Sequence, residues 1–166
     1  QTETSVAAQS ETVVLLETQL DDLNPQVVGY LYDTLFAAGA LEVFTQAIGM
    51  KKSRPGLLLS VLCQPEQRGA CEAILFRETT TLGIRCTVQQ RTVLPRSMET
   101  VTTPLGPIRV KVARYGDRIV NVQPEYEDCA QLARQANQPL QTIQQLALRC
   151  WENATTEAIA ENLDLN

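Results

Sequence analysis

The order of apolar and polar segments in the first half of the chain constrains its fold more than any single motif does. Val13–Leu16 is apolar and the run continues to Leu20, which suits a buried strand. Asn24-Pro25 then supplies a helix cap followed by proline at the first helical position, where its missing N–H costs nothing. Val27, Val28, Leu31, Leu35 and Ala38 form a helical stripe that Gly39 ends. Leu41–Met50 reads as a second strand, 51–56 as a turn and Leu57–Cys63 as a third strand. Pro65 opens another helix carrying Ala70, Cys71, Ile74 and Leu75, and a fourth strand runs from Ile84 to about Leu94. The order is βαββαβ, the split-βαβ or ferredoxin-like arrangement.

A second pattern follows. Met98–Thr103, Ile108–Arg114 and Ile119–Gln123 alternate as strands separated by turn residues, and predict a three-stranded meander. Glu125–Ala136 and Pro139–Trp151 read as two helices. The expected fold is therefore α+β: a flexible tether over 1–11, a ferredoxin-like unit over 12–95, a small β-meander and two-helix unit over 96–153, and a C-terminal tail over 154–166.

Composition narrows the chemistry. None of the 166 residues is histidine, which excludes Ser-His and Cys-His catalytic pairs and any His-ligated metal site. With 14 Lys and Arg against 19 Asp and Glu, the net charge of −5 gives no general attraction to nucleic acid or anionic membrane. Cys63, Cys71, Cys86, Cys129 and Cys150 are scattered and odd in number, as expected of reduced thiols in a cytoplasmic protein. The sequence holds no apolar run near the ~18 residues of a membrane span.

In a βαββαβ unit the loops after strand one, between strands two and three, and before strand four emerge at one end of the sheet. Here these are 21–24, 51–56 and 77–83, the most polar stretches of the unit. Each has two readings. Asp21 and Asp22 serve as helix-capping carboxylates or as hard oxygen ligands for Mg²⁺ or Mn²⁺. Lys51, Lys52 and Arg54 form either a solvated hairpin tip or a phosphate clamp stiffened by the following Pro-Gly. Thr79, Thr80 and Thr81 are a β-branched lead-in to the strand or hydroxyl donors to phosphate and ribose, set between Arg77/Glu78 and Gly83. Acids for a metal facing cations and hydroxyls for phosphates are what a nucleoside triphosphate–metal complex requires. In the second unit, Lys111 alternates with apolar neighbours and faces solvent or a cleft, and Tyr126 serves as core or as a stacking platform.

With these segments in view, the chain resembles the C-terminal domain of the nickel insertion proteins of nickel-pincer cofactor synthesis. The resemblance covers about residues 13–152 and is carried by LETQLDDLNPQ (16–26), GALEVF (39–44), MKKSRPGLLLSVLC (50–63), ILFRETTTLGIR (74–85), IRVKVA (108–113) and PEYEDC (124–129). It departs from the family at Gln19, where Asn is usual, and at Gln26, where Glu is usual.

The resemblance implies part of a CTP-dependent cyclometallase. Such a protein attaches CMP to pyridinium-3,5-bisthiocarboxylic acid mononucleotide with loss of pyrophosphate, inserts nickel and releases CMP, serving lactate racemase and related enzymes. It implies binding of CTP with Mn²⁺ or Mg²⁺ and of the pyridinium substrate, assembly into trimers or hexamers, and a missing N-terminal region that delivers nickel. On this resemblance Asp21 and Asp22 hold the divalent ion, and Lys51, Lys52 and Arg54 neutralise the phosphates. Arg77, Glu78, Thr79, Thr80, Thr81, Arg85, Lys111 and Tyr126 are implied to complete nucleotide and substrate binding. The rival expectation is a ferredoxin-like regulatory or oligomerisation module without catalysis, whose polar loops are solvated rim.

Overall fold

Alternation in the first strand settles which way its side chains face. In the computed structural model, which describes residues 8–163, β1 spans Gln9–Leu20, and Val14, Leu16 and Leu20 point into one core while Glu17 and Gln19 do not. The chain forms two compact units, one of residues 10–92 and one from residue 93 onward.

In the first unit β1 is followed by α1 (Pro25–Ala37), β2 (Ala40–Met50), a single 3₁₀ turn at Lys51–Ser53, β3 (Arg54–Cys63), a second 3₁₀ turn at Pro65–Gln67, α2 (Arg68–Glu78) and β4 (Arg85–Val93). The sheet order is β2-β3-β1-β4, with β3 antiparallel to both β1 and β2, which is the split-βαβ topology. Leu31 and Leu35 of α1 and Cys71, Ile74 and Leu75 of α2 pack with Leu16, Leu59 and Val61 of the sheet. Burying each such large aliphatic side chain contributes about 1.5–3 kcal/mol, so the sheet face and the two helical stripes bind each other strongly.

The second unit carries β5 (Arg96–Thr103), β6 (Gly106–Tyr115) and β7 (Arg118–Pro124) as an antiparallel meander, then α3 (Tyr126–Ala136) and α4 (Leu140–Leu163). Ile108, Val110 and Val112 on the inward face of β6 are fully buried with Cys129, Ala133, Ile143 and Ala147 of the helices. Trp151 of α4 donates its Nε1–H to Glu99 Oε2 of β5 at 2.7 Å, so its indole is both packed and satisfied.

Two elements differ from expectation. β1 begins at Gln9, inside the stretch read as a tether through residue 11, because polar side chains extend its pairing. Glu11 pairs with Arg91 and accepts from Gln64 Nε2 (3.0 Å), and Gln90 Nε2 donates to Thr12 Oγ1 (2.7 Å). The remainder of the tether, residues 1–7, lies outside the described residues. The last helix does not stop at Trp151 but continues to Leu163 through the stretch read as a tail. No glycine or proline interrupts 152–163, and the Thr155 and Thr156 hydroxyls donate to the Trp151 and Glu152 carbonyls one turn back, each at 2.9 Å. All five cysteines are free, with Cys63, Cys71 and Cys129 buried. Burial pushes the Cys63 thiol up to about 12, so it is no nucleophile. Among the described residues no helix is long and apolar enough to cross a membrane.

Candidate functional site

The end of β1 hands the chain to α1 through 21–24, and the division of labour there is clear. Asn24 is the helix cap: its side chain accepts from the Gln26 N–H at 3.0 Å, and the first turn of α1 contains no acid. The capping reading of Asp21 and Asp22 is thereby corrected. The Asn24 side chain, one residue before Pro25, already satisfies the helix end and leaves both carboxylates for other partners.

Those partners come from the other two loops. Arg54, the first residue of β3, donates from Nη1 to Asp21 Oδ2 at 2.9 Å. This hydrogen bond, aided by the charges of Arg54 and Lys51, holds the Asp21 carboxyl below its usual range and keeps it ionised at neutral pH. The Thr80 hydroxyl donates to Asp22 Oδ1. The loops read from the sequence as converging therefore do meet, through one ion pair and one hydroxyl–carboxylate bond.

The hairpin tip is held in an uncommon shape. Lys52 (φ 60°, ψ 29°) and Ser53 (φ 57°) both occupy the left-handed region, which costs a residue with a Cβ roughly 1–2 kcal/mol. The Met50↔Arg54 pair of the β2–β3 ladder closes the loop around them. Among the described residues neither Lys51 nor Lys52 has an ion-pair partner, so both ammonium groups remain available to an anion. Just beyond, a Cβ on Gly56 would lie 2.3 Å from Met50 Sδ and 3.0 Å from the Leu20 carbonyl oxygen. Only glycine lets β3 approach β1 that closely, directly beside Asp21.

The third loop is anchored from below by a residue that sequence reasoning passed over. Thr18 faces inward on β1 between Leu16 and Leu20 and is 1% exposed. Its hydroxyl lies against that of Thr81, and it donates to the Gly83 carbonyl at 3.1 Å. Thr81 Oγ1 also reaches Gly83 O (2.9 Å), and Thr79 Oγ1 donates to Leu75 O (2.6 Å) at the end of α2. Thr79 and Thr81 thus shape the loop, leaving Thr80 as the threonine that reaches another loop. The available signal was a hydroxyl on the inward register of an otherwise aliphatic strand.

The remaining predicted residues take other places. Arg77 pairs with its neighbour Glu78 (2.6 Å), which raises the guanidinium's pKa, and Arg85 lies 4.0 Å from Glu17. Lys111 and Tyr126 belong to the second unit, where Lys111 pairs with Glu125 at 2.9 Å and Tyr126 is exposed at the start of α3. Tyr126 is therefore not core.

Beside Asp21 a cavity of about 420 Å³ opens between the start of α1 and the start of β3. Its walls are Leu20, Leu23, Pro25, Val28, Pro55 and Leu57, so a charged rim adjoins an apolar slot. Among the described residues no three Asp, Glu or Cys side chains gather as a metal site. Two carboxylates alone fit an ion whose other ligands are phosphate oxygens and water, which is how Mg²⁺ usually binds with nucleotides.

Known proteins resemble this chain in sequence and fold. The profile of the family described as nickel insertion protein matches residues 2–144. A protein of Cyanothece sp. named for nickel insertion is 62% identical over 141 residues, covering 85% of this chain and 34% of its own length. A similarly named protein of Acaryochloris marina is 57% identical over 141 residues, with the same coverage of 85% and 34%. The chain thus spans about a third of these relatives. Among solved structures, LarC2 in its apo form superposes with a TM-score of 0.81 at 40% identity, covering 87% of this chain and 99% of that one. LarC2 is described as the C-terminal domain of a cyclometallase involved in synthesis of the NPN cofactor of lactate racemase. A protein of Methanopyrus kandleri shares the fold at a TM-score of 0.61 and 21% identity, covering 83% of this chain and 87% of its own. By its sequence profile and its fold, this chain belongs to the nickel insertion protein family.

Proposed function

We propose that the unit of residues 10–92 binds CTP with Mn²⁺ or Mg²⁺. In a full-length cyclometallase this serves to attach CMP to pyridinium-3,5-bisthiocarboxylic acid mononucleotide, with loss of pyrophosphate, before nickel enters as substrate. The observation that carries the reading is the junction of three loops through Arg54–Asp21 and Thr80–Asp22. The junction puts two carboxylates, free lysines and hydroxyls at one end of the sheet.

Each group has a task. Asp21 and Asp22 hold the divalent ion, which when bound supplies positive charge against the phosphate oxygens. Lys51 and Lys52 neutralise the remaining phosphate charge, and Arg54 exchanges Asp21 for a phosphate as the nucleotide arrives. Thr80 turns its hydroxyl from Asp22 to a phosphate or ribose oxygen, and Arg77, Glu78 and Arg85 border the site. The apolar slot between Pro25 and Pro55 takes the flat base. No histidine is needed, because charge neutralisation and alignment supply most of the rate in such transfers.

The five free thiols suit a reducing cytoplasm. A homo-oligomer, trimer or hexamer, is favoured by Tyr30 and Phe36 on α1 and Phe76 on α2, which are 56%, 46% and 51% exposed. Calorimetry of CTP, ATP and GTP, each with Mn²⁺, tests the reading. CTP binds best and binding weakens in Asp21→Ala and Lys51→Ala chains. No preference for CTP, or unchanged binding in both variants, rejects it.

A further inference from the structure

The outward face of the meander holds a second polar depression, within the second unit. Inward residues of β6 are Ile108, Val110 and Val112, so Arg109, Lys111 and Ala113 face the other way. The strand register aligns Arg96, Ala113 and Asn121 in one row and Met98, Lys111 and Gln123 in the next. Cross-strand partners stand about 5 Å apart, so long side chains surround the single methyl of Ala113 and leave a dent over it. The dent is a cavity of about 310 Å³, with Val93 and Leu94 forming an apolar wall.

Each of its polar side chains carries N–H donors, the two amides an acceptor oxygen as well, and most have no other partner among the described residues. Arg96, Asn121 and Gln123 have no side-chain hydrogen bond or ion pair among the described residues. Lys111 gives one N–H to Glu125 at 2.9 Å, which fixes its ammonium and leaves two donors. Two cations against one carboxylate leave the dent net positive. Convergent donors over an apolar wall are the usual make-up of a small-ligand site.

We propose that this dent binds the anionic group, carboxylate or phosphate, of a small ring-bearing ligand. Arg96 grips the anion in bidentate fashion, Lys111, Asn121 and Gln123 donate to it, and the ring lies against Val93, Leu94 and Ala113. The proposal stands on the second unit's geometry and not on the nucleotide reading.

The test is a titration of the ¹⁵N-labelled 166-residue chain with inorganic phosphate and, separately, with nicotinate. Saturable shifts of the Asn121 and Gln123 side-chain amides and of Arg96 Nε–H are expected with at least one probe. Response to phosphate alone assigns a phosphate ligand, and response to nicotinate alone assigns a ring carboxylate. Arg96→Gln weakens the response roughly tenfold or more, whereas Lys51→Ala leaves it intact. Absence of response to both probes, or a response lost in Lys51→Ala, overturns the proposal. CTP–Mn²⁺ binding retained in Arg96→Gln shows the two sites to be separate, so either can fail alone.

Discussion

Arg54 Nη1 and Asp21 Oδ2 lie 2.9 Å apart, joining the hairpin tip to the end of β1 across 33 positions of sequence. Each neutralises the other in the free chain, so on the proposed reading a metal–triphosphate complex would replace an existing ion pair rather than enter bare charges. Because the Arg54 side chain is 52% exposed, the pair adds little to stability. Arg54→Gln is expected to leave the melting temperature nearly unchanged and to weaken CTP–Mn²⁺ binding roughly tenfold or more, as loss of a charged hydrogen bond does. Calorimetry and thermal denaturation of the same samples check both halves.

Thr18 acts from the core side. Thr18→Val keeps the shape but removes the hydroxyl that holds Thr81 and the Gly83 carbonyl. Thr81 Oγ1 still reaches Gly83 O, so the expected stability loss is about 1–2 kcal/mol by urea denaturation. The loop from Thr79 to Gly83 loosens, and nucleotide binding falls although Thr18 lies beneath the site.

Gly56 sets the spacing of β1 and β3 beside Asp21. In Gly56→Ala the new methyl meets Met50 Sδ at 2.3 Å and the Leu20 carbonyl oxygen at 3.0 Å. The expected cost is about 1–3 kcal/mol, with weakened nucleotide binding as the strand end shifts. Adding Met50→Ala relieves the side-chain clash but not the carbonyl contact, so denaturation curves show a partial recovery.

Asp128 makes the second unit acid-sensitive. Asp128 receives two N–H bonds from the Arg109 side chain (2.9 and 2.7 Å) and one from the Arg109 backbone (2.9 Å), which lower its pKa from 3.8 to about 2. The folded carboxylate therefore stays charged where the unfolded one takes up a proton. Its stabilising effect is complete above about pH 4 and is lost as the pH falls towards 2. Asp128→Asn lowers the melting temperature at pH 6, and the gap from the parent chain closes between pH 4 and 2.

Much of this was legible in the sequence because local chemistry and fold agree. Asn24-Pro25 marks a cap that the structure contains, and the βαββαβ order alone brings the three loops to one end. Thr18 escaped notice because its role depends on Thr81, 63 residues away, and one hydroxyl among aliphatic residues leaves the strand pattern intact. The last turns of α4 escaped because Asn153, Thr155 and Thr156 are weak helix formers, and the hydroxyl bonds to preceding carbonyls appear only once the helix exists. The pairing of Lys111 with Glu125 was hidden for the same reason, since it needs β6 and the start of α3 side by side.

On the proposed reading the Asp21, Lys51 and Thr80 end of the sheet holds a metal–triphosphate complex. Anomalous diffraction at the manganese edge from crystals grown with CTP and Mn²⁺ tests it most directly. The expected result is an ion bound to Asp21, Asp22 or both, with phosphates against Lys51 and Lys52 and Arg54 withdrawn from Asp21. Manganese and CTP bound elsewhere, with the Arg54–Asp21 pair intact, would contradict it.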